Sequence, residues 1–332
     1  MNLHTLGATN LLVSPIGLGL AALGRPGYIN LGHAKDLEEN YQVEAMERHT
    51  HEVLDAAWKE GVRYFDVARS YGRAEHFLSS WLKVRQIAPE DITVGSKWGY
   101  TYTAGWQVEA EEHEVKEHSL PVLQRQWQES WALLGNHLDL YQIHSATFKS
   151  GILDNQEVLE ELAHLKERAG IRMGLSLSGV NQAAVLERAM TIAFDGHRLF
   201  DSVQATWNLL EPSVGPALQE AHEMGMGIIV KEALANGRLT QRNEDPDFAD
   251  KLSLLQKQAA RLDTTVDALA LAAVLAQPWS DVVLSGVATA EHLRSNVKAV
   301  EVAWDEEANR ALAPLAEIPE SYWETRSNLE WR

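Results

Sequence analysis

A closed (β/α)8 barrel, an α/β fold built as one domain over residues 1–332, is the architecture this sequence predicts. Three observations carry that reading. Eight short apolar runs follow one another along the chain, and stretches of helical periodicity fill most of the gaps between them. Such alternation marks a parallel sheet covered by helices. Eight units in 332 residues suit a closed barrel better than an open sheet, and no linker-like stretch divides them.

The apolar runs lie at residues 16–20, 64–66, 93–97, 138–143, 171–177, 202–205, 227–230 and 282–285. Helical periodicity is clearest at 43–60, 114–134, 156–169, 182–192, 217–224 and 290–300. Ahead of the first run, residues 3–6 and 11–13 flank Gly7-Ala-Thr-Asn10 and read as a β-hairpin able to plug one end of the barrel. Residues 23–40, with Gly24, Pro26, Gly27 and Gly32 and no periodicity, read as a long loop. The C-terminal segment, 305–332, begins helically and is expected either to drape over the barrel mouth or to fray.

Composition narrows the function. The net charge of −18 argues against nucleic-acid or anionic-membrane partners, which need clustered Lys and Arg. No apolar run approaches the roughly 18 residues of a membrane helix, and residues 1–7 show no signal-peptide pattern. The chain has no cysteine, which excludes disulfides, thiolate metal sites and thiol catalysis and fits a cytoplasmic location. Thirteen histidines include no H-E-x-x-H arrangement, so no metal is expected. No heptad or repeat suggests an obligate oligomer, and a monomer suffices.

The chemistry is expected at the C-terminal ends of the barrel strands, where such folds place their active sites. Asp66 ends the second run, Lys97 the third, and His144 follows the fourth; Tyr71 lies in the turn after Asp66. Taken singly, each has a plain structural role open to it, such as a cap, a packed ring or a solvated strand end. Together, in order and at one end of the barrel, they form an acid/base centre for a polar small molecule.

These residues resemble the aldo-keto reductase family over nearly the whole chain. The specific signature is Phe-Asp-x-Ala-x-x-Tyr-Gly-x-x-Glu at 65–75, followed by Ser96-Lys-Trp-Gly99, Asp139-Leu-Tyr-Gln-Ile-His144, Gly174-Leu-Ser176 and Leu234-Ala-Asn-Gly-Arg-Leu239. The resemblance implies a catalytic tetrad of Asp66, Tyr71, Lys97 and His144 and a nicotinamide cofactor as the hydride carrier. Tyr71 would exchange the proton; a free phenol titrates near about pH 10, and Lys97, steadied by Asp66, would lower that value. His144 would orient the carbonyl.

The resemblance implies cofactor contacts at Ser176, Ser178, Gln204, Trp207, Leu234, Gly237, Leu239, Gly286, His292 and Asn296. The chain departs from the family pattern in places. Leu177 replaces a polar residue, and Trp207 stands for the tyrosine that stacks on the nicotinamide. After the eighth run, Ala288 and Thr289 stand where NADP-preferring members carry basic residues, leaving His292 and Arg294. The missing clamp favours NAD over NADP. Trp98, Trp106 and His33 are the expected substrate-pocket residues, the first two as aromatic walls.

The expected function is transfer of a hydride between NAD(P) and an aldehyde, ketone or aldose. The segment Gly174-Leu-Ser-Leu-Ser-Gly179 and the weak 2′-phosphate site point towards the aldose-dehydrogenase branch. Two other classes compete: a nucleotide-binding regulatory subunit of a channel, which can retain the tetrad, and a barrel lyase or isomerase with Lys97 as Schiff base.

Overall fold

A computed structural model describes residues 1–331. Eight parallel strands close into a barrel: β1 (Ile16–Gly19), β2 (Tyr64–Asp66), β3 (Thr93–Trp98), β4 (Leu138–Ala146), β5 (Arg172–Leu177), β6 (Ser202–Thr206), β7 (Gly227–Lys231) and β8 (Val282–Ser285). Closure comes from β8 against β1, with Val283 opposite Ile16 and Ser285 opposite Leu18. Each expected apolar run holds one strand.

Side-chain alternation decides what faces the lumen. In β2, Phe65 points outward and packs its ring 5.8 Å from that of Trp81. Tyr64 and Asp66 point inward, and the Tyr64 hydroxyl donates to Asp66 Oδ2 at 3.3 Å. Gly95 on β3 permits this, since a Cβ there would come within 2.5 Å of the Tyr64 hydroxyl.

The N-terminal hairpin pairs His4–Thr5 with Leu12–Val13 and plugs the bottom. Its Leu6 and Val13 are buried against Tyr64, Leu140, Ile229, Val282 and Leu284, an apolar plug that keeps water from the lumen. Gly7, at φ 50°, passes so close to the backbone of Gly227 that a side chain would not fit.

Helices Val43–Lys59, Ala74–Arg85, Leu120–Leu134, Gln156–Ala169, Gln182–Met190, Gly215–Glu223 and Ala290–Val297 cover the barrel. Between β7 and β8, where the pattern named no helix, lie Ala249–Arg261 and Val266–Leu275. The second is buried on nearly every face and so lacks the amphipathic period that reveals a surface helix.

Three boundaries differ from expectation. The helix expected from residue 114 starts at Leu120, with a proline in its first turn; Glu114–Lys116 is instead a strand paired with Tyr100–Tyr102. The long first loop holds a four-residue helix, His33–Asp36. The C-terminal segment, with helices Glu306–Leu312 and Pro319–Ser327, lies across the barrel mouth, where Arg326, Leu329 and Trp331 line the central cavity. Among the described residues no helix is long and apolar enough to cross a membrane.

Candidate active site

Asp66 and Lys97 meet at the floor of the lumen, both almost wholly buried. The Lys97 ammonium donates to Asp66 Oδ1, to the Val67 carbonyl at 3.0 Å and to the Tyr71 hydroxyl at 3.4 Å. Gln204 Nε2 donates to Asp66 Oδ2 at 2.8 Å and completes the carboxylate's shell. Tyr71 reaches the same point from the loop after β2. Its ring meets that of His144 edge-on, centroids 5.5 Å apart, and Ser70 Oγ lies 3.4 Å from His144 Nδ1. Asp66, Tyr71, Lys97 and His144 are thus brought together.

The position of Tyr71 and Lys97 depends on a buried carboxylate nearby. Ser96 Oγ and Ser130 Oγ each donate to Glu75 Oε1 at 2.6 Å, and Arg69 pairs with its other oxygen. Glu75 thereby ties the helix following Tyr71 to the strand that carries Lys97 and to helix Leu120–Leu134.

Burial dominates the electrostatics. It pushes the Tyr71 phenol well up, Asp66 adds to the rise, and the Arg25 guanidinium opposes it. Desolvation thus outweighs the lowering expected of the neighbouring ammonium. Burial also lowers Lys97, against the pull of Asp66. Burial, followed by Lys97 and Arg25, holds His144 well below its usual range, so its imidazole is neutral.

A cavity of about 290 Å3 opens above this cluster. Asp66, Tyr71 and His144 line it, as do the expected His33, Ser178, Gln204, Leu234, Gly237, Gly286, His292 and Asn296. His33 is buried, and burial lowers it to about 4.

Five expected contacts are not at the cavity. Ser176 Oγ instead accepts from the Ser145 amide at 2.8 Å, joining β5 to β4. Trp207 packs outward, its ring 5.7 Å from that of Trp279; alternation along β6 turns Gln204 and Thr206 inward and leaves Trp207 to the helix layer. Leu239 is buried in an apolar cluster with Phe248 and Tyr322. Trp98 is wholly buried against His118. Trp106 donates its indole N–H to the Tyr41 carbonyl at 2.7 Å and packs on Phe77.

In their place, the cavity recruits residues that sequence reasoning missed. The Arg25 guanidinium sits among the rings of Tyr28, Tyr71 and Trp331, 4.6–5.2 Å from their centroids, and bonds Glu114 at 2.9 Å. Lys231 at the end of β7 donates to Thr206 Oγ1 at 2.7 Å, while Glu232 pairs with Arg326 at 2.8 Å. Burial raises the Glu232 carboxyl, yet Arg326 and Lys231 overcome that and hold it at about 2. An ionisable residue at a strand end, as at Lys231, was the signal available.

The lining suits a dinucleotide. Asn296 Oδ1 and Asn236 Oδ1 are buried acceptors without partners at the cavity. Glu232, Ala235, Asn236 and Gly237 all take positive φ just after β7. Left-handed residues in such a run curl the backbone into an anion-binding concavity, at the barrel end where loops after strands seven and eight commonly hold phosphate. The first loop closes over it, with Asn30 Nδ2 donating to the Gly286 carbonyl at 3.0 Å and the Leu31 amide to that of Asn236 at 3.1 Å.

At the C-terminal ends of its strands the barrel thus holds a buried cluster of ionisable groups beneath a polar-lined cavity. A sequence profile described as the Aldo/keto reductase family matches residues 15–317, and the chain belongs to that family. It is similar to aldo-keto reductase str7 of Strobilurus tenacellus, 27% identical, covering 93% of this chain and 91% of that protein. It is also similar to pyridoxal 4-dehydrogenase of Microbacterium luteolum, at 26%, with 97% and 95% covered. Its fold matches the holo form of the aldo-keto reductase AKR11C1 from Bacillus halodurans, with a TM-score of 0.73 at 22% identity over 97% of this chain and 99% of that one. Membership makes the chain an NAD(P)-dependent oxidoreductase that acts on small carbonyl compounds.

Proposed function

We propose that this enzyme oxidises an aldose, in its lactol form, to the lactone with NAD as the acceptor, and that Asp66, Tyr71, Lys97 and His144 are its catalytic residues. The observation that carries the reading is the Lys97 ammonium, held between Asp66 and the Tyr71 hydroxyl at the cavity floor. Ser178, Gln204, Leu234, Gly237, Gly286 and Asn296 would hold the nicotinamide dinucleotide, which when bound supplies the hydride acceptor or donor that no side chain provides.

Tyr71 exchanges the proton at the reacting oxygen. Because Lys97 donates to the phenol oxygen, the phenol's own hydrogen is free to point at substrate. In reduction Tyr71 starts as the phenol, the form burial favours. In oxidation it starts as the phenolate, which Lys97 and Arg25 stabilise. His144, neutral, donates an N–H to the same oxygen and positions it.

The substrate reading rests on the upper cavity, where Arg25, Tyr28, Tyr100, Glu114, Lys231 and Glu232 offer donors and acceptors suited to several hydroxyls. The similarity to a protein named as a dehydrogenase supports the oxidative direction. No observation favours a channel subunit, and the ion pair with Asp66 argues against Lys97 as a Schiff-base nucleophile. A panel of aldoses, aromatic and apolar aldehydes, followed by NADH formation, tests the proposal. Turnover of hydroxylated substrates with NAD is expected; activity confined to apolar aldehydes with NADPH would reject it.

A further inference from the structure

The cavity lining includes an arginine that the segment after β8 does not supply. Arg242, from the segment after β7, reaches across the mouth to Asp36 on the short helix of the first loop. Both guanidinium nitrogens engage both carboxylate oxygens, at 2.8 and 2.6 Å. The same guanidinium donates to the Leu31 carbonyl at 3.2 Å and lies 2.9 Å from His292 Nε2. Asp267, in the first turn of helix Val266–Leu275, also lines the cavity, and Arg242 and His292 act on its charge. Two carboxylates therefore face one guanidinium, whereas Arg294, the basic residue after β8, lies outside the lining.

A bidentate arginine is the strongest side-chain recognition available for a phosphate, provided its fork is free. Here Asp36 occupies the fork. A carboxylate so placed repels a phosphate dianion and accepts well from a ribose hydroxyl, as the acidic residue of Rossmann-type sites does for NAD. We propose that Asp36 sets the cofactor preference of this site: by engaging Arg242 it withholds the guanidinium from a 2′-phosphate and presents a carboxylate to the ribose 2′-hydroxyl, so that NAD(H) is bound over NADP(H). The inference rests on the reading of this cavity as the dinucleotide site, and it replaces the argument from a missing arginine with one from a neutralised arginine.

Calorimetric titration of the full chain with NADH and with NADPH, needing no substrate, tests it. The unaltered protein binds NADH at least about tenfold more tightly, the lower bound expected of one charge-assisted hydrogen bond. Asp36→Ser frees Arg242 and shifts the affinity ratio towards NADPH by about tenfold to a hundredfold on the same scale. Asp36→Ser combined with Arg242→Ala loses that gain. Asp36→Asn, nearly isosteric, moves the ratio the same way by less and serves should the serine variant fold poorly. Tighter NADPH binding by the unaltered protein, or a ratio unmoved in a folded Asp36 variant, overturns the proposal. Binding of neither nucleotide overturns the dinucleotide reading itself and the proposal with it.

Discussion

The floor and the rim of the cavity are built differently. On the floor, Asp66, Lys97 and His144 belong to three successive barrel strands, and the pleat alone turns them to the lumen. On the rim, Arg25, Arg242 and Arg326 come from loops or the C-terminal segment, and each is held by a carboxylate from a distant segment: Glu114, Asp36 and Glu232. The strand pleat and the buried Lys97–Asp66 pair hold the floor side chains in place, whereas ion pairs between distant segments hold those of the rim. Chemistry should therefore depend steeply on single floor residues, and specificity on the rim.

The sharpest test of that division is Tyr71→Phe. It removes the hydroxyl proposed to exchange the proton and should lower kcat by about 10^3-fold, within the range for general acid–base groups, with nucleotide affinity changed less than about threefold. Stopped-flow single-turnover rates and calorimetry read the two separately. A loss below tenfold would show that another group transfers the proton.

Next in size is Glu75→Ala, which leaves Arg69, Ser96 and Ser130 without their common partner. Removing one member of a buried ion pair costs about 3–5 kcal/mol, to be read from urea unfolding. A cost under about 1 kcal/mol would mean that this hub is not what positions the floor.

Arg326→Ala tests the rim. Glu232 stays buried without its main counter-charge, and we expect KM to rise about tenfold, as for the loss of one charge-assisted hydrogen bond, with kcat changed less. The pair also sets an acid limit. Glu232 is depressed from 4.5 to about 2, so its contribution to stability is present above about pH 4.5 and is lost as pH falls towards 2. Arg326→Ala should flatten that part of the stability–pH curve.

On the proposed mechanism, the phenol divides the two reaction directions. Because burial raises Tyr71, kcat/KM for oxidation should climb through the alkaline range, while reduction holds until the highest pH. Matching profiles in both directions would break the assignment. The smallest effect is expected for Trp207→Phe, which should leave NADH affinity within about twofold, because the ring packs on Trp279 rather than in the cavity.

The comparison also explains what was legible in the sequence. All eight strands were visible as apolar runs, and three floor residues as ionisable groups at or just beyond their ends, because a pleat of period two and a closed parallel sheet leave little freedom. Tyr71 followed from its spacing after Asp66. The 114–116 strand was hidden because its partner, 100–102, lies in a loop of no periodicity. Trp207 was misplaced because the resemblance set it against the nicotinamide, whereas alternation along β6 turns Gln204 and Thr206 inward and Trp207 outward. Arg25 and Trp331 lie far apart in the chain, and Arg242 meets Asp36 at a separation of 206 residues; no local pattern reports such pairs.

By itself, the amino-acid sequence determined the barrel, its bottom plug and the group of ionisable residues at one end, since hydrophobic periodicity and strand pleat are local properties that survive reading in one dimension. Only the tertiary structure decided which charges the rim pairs, which tryptophans leave the cavity, and that Arg242 reaches the site already occupied by Asp36. Those outcomes depend on where loops from opposite ends of the chain come to rest, and on the desolvation that their closure imposes.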